Sequence, residues 1–349
     1  MRELLTALGS LEVPHRFELF CRRPWEETDL GPRFRWVTVP LPDPLWHAAT
    51  AARASRSCDV FFSTNSYLTA WGLLIPSAVL VHDLITFMPA ARAQTRAAWI
   101  ERATAGLAVR RAARLVCYSR STETDLVRFF PRAAGKTALV PLAANSGFHH
   151  PPAGTELAAV TKRHGVEPAS YVLASGTLEP RKNLVRLIRA HARLPDELRR
   201  RNPLLIVGPR GWEEQELMRA AAGAPDVRLA GYVPDADLAA LYAGCSAFCY
   251  PSLYEGFGLP VLEAMAAGAP VVTSDISSLP EVGGDAVAYV SPEDEKSIEA
   301  TLERLLRSPE ERAELSRRGR ARAAQYSWER TALLMLEELE RAGQGSRGS

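Results

Sequence analysis

Two segments of the 349-residue chain concentrate the residue types that bind anions and hydroxyl groups. The first is Tyr250-Pro-Ser-Leu-Tyr-Glu-Gly-Phe-Gly-Leu-Pro-Val-Leu-Glu-Ala-Met-Ala-Ala-Gly268, in which Glu255 and Glu263 bracket a turn containing Gly256 and Gly258. The turn follows an apolar run and precedes a helical run in which Pro260 suits the first position and Gly268 the stop. Backbone N–H groups at such a helix start are a usual place to hold a phosphate. A carboxylate beside an anion is out of place unless it accepts hydrogen bonds from sugar hydroxyls. The alternative is that Glu255 and Glu263, the latter in about the first helical turn, complement the helix dipole. The second segment is Ser175-Gly-Thr-Leu-Glu-Pro-Arg-Lys-Asn183, again directly after an apolar run. A cation about 4 Å from a diphosphate oxygen gains roughly 4 kcal/mol at an effective dielectric of about 20, enough to stabilise a leaving group. In isolation Arg181 and Lys182 read as a solvated loop pair. Their place at a strand end, in the same half of the chain as Glu255, favours the ligand role.

The elements that must position these groups are short β-rich runs alternating with Ala/Leu/Arg-rich helical stretches. Strands are expected at Phe17–Phe20, Arg35–Val39, Asp59–Ser63, Ala78–Val81, Leu115–Tyr118 and Thr137–Val140. A second set is expected at Tyr171–Ala174, Leu204–Val207, Val227–Leu229, Ala247–Tyr250, Pro270–Thr273 and Ala286–Val290. The second set is continuously apolar, as suits parallel strands covered on both faces. This alternation implies doubly wound α/β architecture. The turn-rich stretch from Pro141 to Pro152 marks a boundary, giving domains at 1–150 and 151–326 with a cleft between them. Ser327 is read as the cap of a final helix over 327–342, with Leu333, Leu336 and Leu339 on its apolar side. Residues 343–349 have nothing to pack and should be disordered.

Composition narrows the function classes. With 47% hydrophobic residues the chain can bury a substantial core, which rules out a disordered protein. A net charge of +2 argues against a dedicated nucleic-acid binder. No apolar run approaches the roughly 20 residues of a membrane span. Cys21, Cys58, Cys117, Cys245 and Cys249 are too scattered for a disulfide scaffold, and Cys245-x-x-x-Cys249 is too isolated for a zinc site. Met1-Arg-Glu-Leu-Leu carries no signal-peptide pattern. The expectation is a reduced, cytoplasmic enzyme. Lysine is rare, at positions 136, 162, 182 and 296 alone, so Lys182 is more informative than a lysine usually is.

Glu255-Gly-Phe-Gly-Leu-Pro-Val-Leu-Glu263-Ala-Met-Ala resembles the E-x7-E signature of family 4 retaining glycosyltransferases, which have the GT-B fold of two Rossmann-like domains facing a cleft. Ser175–Asn183, Gly231-Tyr-Val-Pro-Asp235 and Pro270-Val-Val-Thr-Ser-Asp275 are similar to the family's further motifs and come in its order, so the resemblance covers residues 75–340. It implies an amino-terminal acceptor-side domain, a carboxy-terminal nucleotide-sugar-binding domain and a final helix crossing back toward the first. It also implies roles. Arg181 and Lys182 would bind the donor diphosphate, Glu255 the transferred sugar and Glu263 the ribose hydroxyls. Backbone amides of Gly256, Phe257, Gly258 and Leu259 would face sugar and phosphate oxygens, and Tyr232 and Val233 would lie near the base. Thr177 stands where many relatives have arginine, so one phosphate contact is missing or supplied elsewhere. His82, in Val81-His-Asp-Leu84, matches a histidine near donor sugar and acceptor; without the resemblance it reads as structural.

The reaction implied is transfer of a hexosyl group from a nucleotide sugar, GDP-mannose as first guess, to an acceptor hydroxyl in polysaccharide, glycolipid or natural-product assembly. Front-face attack would let the departing phosphate help remove the acceptor proton. Arg181 and Lys182 are expected to replace a metal, and no cofactor beyond the donor is implied. The competing readings are a non-catalytic nucleotide-sugar-binding protein and an epimerase or phosphorylase of the same fold. A dehydrogenase would need a Gly-x-Gly-x-x-Gly turn, which is missing. The Arg92–Arg114 stretch has two readings: a peripheral contact with anionic lipid at the inner membrane face, or, favoured, a solvated helix. Relatives begin with an apolar strand and a glycine-containing loop, whereas Met1-Arg-Glu-Leu-Leu-Thr-Ala-Leu8 matches the helix that follows. The first domain is therefore expected to lack that strand and Gly-rich loop, at about 1–3 kcal/mol per backbone group left buried and unpaired. The start is expected to be internal to a longer reading frame, or the chain a weakened form.

Overall fold

A computed structural model describes residues 1–25, 30–64, 67–88, 96–212 and 215–344. The chain divides into two compact units: Met1–Leu142 together with the segment from Ser327 onward, and Ala143–Tyr326.

The first unit carries β1 (Phe17–Cys21), β2 (Phe34–Thr38), β3 (Phe61–Ser63), β4 (Ser77–Val81), β5 (Arg114–Cys117) and β6 (Thr137–Leu139). Strands β3 to β6 form one parallel sheet in sequence order, and β1 pairs with β2 in a separate parallel pair. Central β4 is buried throughout, as its run Ser-Ala-Val-Leu-Val demands, whereas every residue of β1 is only partly buried. Between them lies a cavity of about 2870 Å³, lined by all of β1 and β3, by Leu4, Leu5 and Leu8, and by Leu336 and Leu339. Among the described residues no strand precedes Phe17.

The final helix, Trp328–Gln344, belongs to this first unit although it lies last in sequence. Its Ala332, Met335 and Leu336 pack with Leu4, Leu5 and Leu8 of the helix Arg2–Ser10 and with Leu80 and Val116 of the sheet. Buried Glu338 accepts from Arg114 Nε at 2.5 Å, tying the helix to β5. Ser327 caps it, accepting from the Arg330 N–H at 3.2 Å. Leu333, expected on the apolar side, is instead exposed. The face that packs is set by Thr331, Ala332, Met335 and Leu336, and Leu333 lies off that stripe. The helix runs through Gln344, and the expected tail beyond it lies outside the described residues.

The Arg-rich stretch is a helix over Arg96–Arg111, residues 92–95 lying outside the described set. It packs through small side chains, Ala98, Ala105, Ala108 and Val109. Arg102 donates to the Thr86 carbonyl, Arg111 to the Trp71 carbonyl and Arg114, just beyond, to Glu338. Among the described side chains, Arg102, Arg111 and Arg114 thus bond within the unit. Among the described residues no helix is long and apolar enough to cross a membrane.

The second unit carries β7 (Val172–Ser175), β8 (Leu204–Val207), β9 (Val227–Gly231), β10 (Ala247–Tyr250), β11 (Val271–Ser274) and β12 (Ala288–Val290). All six form one parallel sheet in the order β12-β11-β10-β7-β8-β9. Strands β7, β8, β10 and β11 are buried at every residue, the consequence of apolar runs covered by helices on both faces. The helix Leu184–Ala192 sets Leu184, Leu187 and Ile188 into that core, and Glu295–Arg307, capped by Asp294, adds Ile298, Leu302 and Leu305. The chain runs outward from β7 in one direction and from β10 in the other. The strand order therefore reverses between β7 and β10, and a crevice at their carboxyl ends is where such a sheet binds ligands.

Candidate active site

Both chemistry-bearing segments leave the sheet at this reversal, Ser175–Asn183 after β7 and Pro251–Gly258 after β10. The first is bent into place by backbone that only particular residues adopt. Gly176 has φ +125° and Gly208 φ +145°, and a Cβ on Gly208 would sit 2.0 Å from the Gly176 carbonyl oxygen. The loops after β7 and β8 touch here because Gly208 carries no Cβ. Pro180–Lys182 then makes a single 3₁₀ turn, ended by Asn183 at φ +60°. The buried Asn183 amide donates to the carbonyls of Pro251 at 3.0 Å and Pro292 at 2.6 Å. The Leu253 N–H adds a bond to the Arg181 carbonyl at 2.9 Å. These ties lock the loop after β7 onto the loop after β10 and aim Arg181 and Lys182 at Glu255.

The three charged groups meet. Lys182 Nζ lies 2.8 Å from Glu255 Oε1, and Arg181 Nη1 2.6 Å from Oε2. Lys182 and Glu255 are each only 7% exposed, so this is a desolvated cluster and not a solvated loop pair. Arg181 is steadied by Glu179 at 2.5 Å and by the Tyr254 carbonyl at 3.0 Å. Tyr250 donates to Glu255 Oε1 at 2.7 Å and Ser252 donates to the same oxygen at 2.6 Å, while Lys182 donates to the Tyr250 hydroxyl at 2.5 Å. The backbone of Glu255 is clamped as well. Its N–H donates to Ser277 Oγ at 3.0 Å, and its carbonyl accepts from Ser277 and Ser278 at 2.6 and 2.9 Å. Ser277 holds φ +62°, an uncommon conformation for a side-chain-bearing residue and one that clusters at functional sites.

Burial alone would raise the Glu255 carboxyl. The adjacent Lys182 and Arg181, with hydrogen bonds from Lys182 and Ser252, outweigh it and hold the group down at about 2. Burial lowers Lys182 from its ordinary value, with Glu255 opposing. The cluster sets two cations against two carboxylates, Glu255 bonded to both and Glu179 to Arg181. An anion arriving beside Arg181 and Lys182 can take over some of their hydrogen bonds, and the two cations can stabilise negative charge that develops there.

The remaining donor-side residues surround this centre. Gly258 at φ +102° is the N-cap of the helix Leu259–Ala267, whose stop is Gly268 at φ +87°. Leu259 takes the first position and Pro260 the second, one residue from expectation, because the turn closes at Gly258. Glu263 consequently sits in the second turn, beyond the reach of an N-terminal cap. Burial and the nearby Asp235 push its carboxyl up to about 8, so it is largely protonated at neutral pH. Phe257 is buried edge-on against Tyr326, and Gly256 is half-buried. Tyr232 is 72% exposed beside buried Val233. The Thr177 methyl would lie 3.1 Å from a Cβ on Gly211, so Thr177 packs into the loop after β8.

His82 belongs to the other unit, directly after β4. Its Nε2 lies 2.7 Å from the Thr64 carbonyl, which can only accept, so Nε2 donates there. Its ring meets Tyr118 edge-on at 5.5 Å. Nearby Glu101 is pushed up to about 6 by burial and by Asp83. His82, Asp83, Glu101, Tyr67 and Tyr118 all line the cavity of that unit. Cys245 and Cys249 are free and buried, their thiols raised by burial, as inert packing groups. Sequence reasoning did not single out Tyr250, Ser252, Glu179 or Ser277. The first three stand inside the two quoted segments, but their types alone do not distinguish them from loop residues.

Residues 161–322 match the family described as Glycosyl transferases group 1. The chain is 40% identical over 218 residues to O-antigen chain mannosyltransferase B of Escherichia coli, covering 62% of this chain and 57% of that protein. It is 33% identical over 234 residues to the MMP alpha-(1->4)-mannosyltransferase of Mycolicibacterium hassiacum, covering 65% and 54%. The chain thus spans little more than half the length of these curated relatives. In structure it is similar to sucrose-phosphate synthase from Thermosynechococcus elongatus, with a TM-score of 0.77 at 21% identity, covering 100% of this chain and 93% of that one. It is also similar to the lipopolysaccharide glycosyltransferase WaaG, with a TM-score of 0.72 at 17% identity, covering 100% and 95%. Anabaena HepE, solved with UDP and glucose, aligns with a TM-score of 0.71 at 19% identity over 88% and 86% of the two chains.

Proposed function

We propose that this chain, which belongs to the group 1 glycosyltransferase family and has the GT-B fold, moves a hexosyl group from a nucleoside-diphosphate sugar to an acceptor hydroxyl with the anomeric configuration retained. The observation that carries the reading is the buried Arg181–Lys182–Glu255 cluster at the strand-order reversal. Arg181 and Lys182 take the diphosphate and stabilise it as the bond to the anomeric carbon breaks. Glu255 accepts hydrogen bonds from hydroxyls of the transferred sugar, and Glu263 binds the ribose. Gly256, Phe257, Gly258 and Leu259 approach the phosphate and sugar through their backbone. Tyr232 and Val233 flank the base, Thr177 lies toward the phosphates, and His82 serves the reacting sugar and acceptor. The departing phosphate accepts the acceptor's proton, so Glu255 need not act as a base. The two cations supply the charge a divalent ion would otherwise bring.

Similarity to two mannosyltransferases supports a mannosyl donor, GDP-mannose first, and a polysaccharide acceptor. The test is turnover of GDP-, UDP- and dTDP-hexoses with oligosaccharide acceptors, with and without EDTA, reading nucleoside diphosphate release and the new anomeric proton by NMR. An α-linked product formed equally in EDTA is expected. Binding without turnover across donors and acceptors would leave a nucleotide-sugar-binding protein. Release without any acceptor product would point to epimerase or phosphorylase chemistry.

A further inference from the structure

Glu255 Oε1 accepts three hydrogen bonds at once, from Lys182 at 2.8 Å, Tyr250 at 2.7 Å and Ser252 at 2.6 Å. A carboxylate oxygen offers about two lone-pair sites, so one of these donors is surplus. The two hydroxyls cannot be that donor. Tyr250 is the last residue of β10 and 2% exposed, Ser252 is fully buried, and each hydroxyl proton is already directed at this oxygen. Lys182 differs in having three protons on a flexible stem, and its ammonium also touches the Tyr250 hydroxyl at 2.5 Å and lies 4.9 Å from the Tyr250 ring centre. It is the donor that can leave.

We infer that Tyr250 and Ser252 are positioning residues which make Lys182 transferable, their hydroxyls filling Glu255 Oε1 so that Lys182 can pass to the donor's diphosphate without stranding a buried carboxylate. This rests on the proposed donor chemistry and goes beyond it. Arg181 meets the other oxygen, Oε2, at 2.6 Å. With either hydroxyl removed, Lys182 becomes a needed partner of Oε1, and drawing it away uncovers a buried charge. The Tyr250 ring keeps its place under the ammonium, so the transfer has a short path.

The test compares binding of GDP, UDP and dTDP with binding of the corresponding nucleosides, which lack the phosphates Lys182 would meet. Tyr250→Phe is expected to weaken binding of the preferred nucleoside diphosphate about tenfold, the scale of one hydrogen bond to a charged group. Nucleoside binding should stay within about twofold. In a Lys182→Ala background the same Tyr250→Phe change should cost less than about twofold, since no ammonium remains to be released. Ser252→Ala should repeat the pattern and serves if Tyr250→Phe does not fold. A tenfold loss that persists without Lys182, an equal loss for nucleoside and diphosphate, or no loss would each overturn the inference while leaving the functional reading standing. Failure of the wild-type chain to bind any nucleoside diphosphate would remove both.

Discussion

Replacing Glu255 by Gln keeps the shape of the site but removes the one negative charge shared by Arg181 and Lys182. At these separations and an effective dielectric of about 20, each pair is worth roughly 6 kcal/mol of Coulomb energy, largely offset by the cost of desolvation. What remains on truncating one partner of a buried cluster is about 3–5 kcal/mol. Lys182 can relieve part of this by shedding its proton, a step that burial already favours, whereas Arg181 cannot. The loss should therefore fall near about 3 kcal/mol at neutral pH. In a unit the size of Ala143–Tyr326 that lowers the thermal midpoint by roughly 6–12 °C, at about 2–4 °C per kcal/mol. A nucleoside diphosphate supplies the missing negative charge, so it should raise the midpoint of Glu255→Gln at least as far as that of the wild type, although turnover is lost. Differential scanning fluorimetry with and without GDP, UDP and dTDP reads both effects. A fall of under about 2 °C, or a variant that gains nothing from any diphosphate, would refute the argument that Glu255 is the resting counter-ion of a diphosphate site.

Lys182→Ala should cut turnover roughly thirty- to a thousandfold, the cost of about 2–4 kcal/mol of leaving-group stabilisation, measured as initial-rate kcat. Glu263 titrates at about 8 in the fold against about 4.5 unfolded, so the folded chain keeps a proton the unfolded chain has lost. Its contribution to stability therefore declines as pH rises from about 4.5 to 8, and Glu263→Gln should flatten denaturation midpoints over that window by about 1–3 kcal/mol after allowance for partial exposure. Gly258→Ala places a Cβ 2.8 Å from Leu279 at φ +102° and should destabilise by about 1–3 kcal/mol while weakening diphosphate binding, read by urea unfolding and calorimetry. Hydrogen exchange should be fastest among strand amides in β1 and β2, which border the large cavity, and slowest in β7, β8, β10 and β11.

Twelve strands were legible because each is a short apolar run closed by glycine, proline or a charged helical stretch, and the structure shifts their ends by at most about two residues. Phe61 opens β3 where Asp59 was expected, since Asp59 and Val60 make the turn before it. The fold and the family resemblance were legible because each quoted motif follows or spans an apolar strand of the second sheet, after β7, β9 and β10 and across β11. The junction of Arg181, Lys182 and Glu255 was legible only as two segments at strand ends. Joining them required Asn183, whose left-handed backbone and two carbonyl bonds draw the loops together. Tyr250 and Ser252 were hidden for a related reason: a tyrosine closing a strand and a serine in a loop acquire meaning only when a lysine 68 residues earlier arrives beside them. Leu333 was misplaced because leucines at helical spacing can lie on either side of a stripe, and the partner helix near the amino terminus decides which side is covered.

The central claim is that the second unit holds a diphosphate through its buried cations, and calorimetric titration with nucleoside diphosphate against nucleoside monophosphate tests it most directly. For the preferred base among GDP, UDP and dTDP, the diphosphate should bind at least about tenfold more tightly than the monophosphate in the wild type, and that preference should vanish in Lys182→Ala. Equal affinity for the two nucleotides, or a preference that survives the loss of Lys182, would contradict the account.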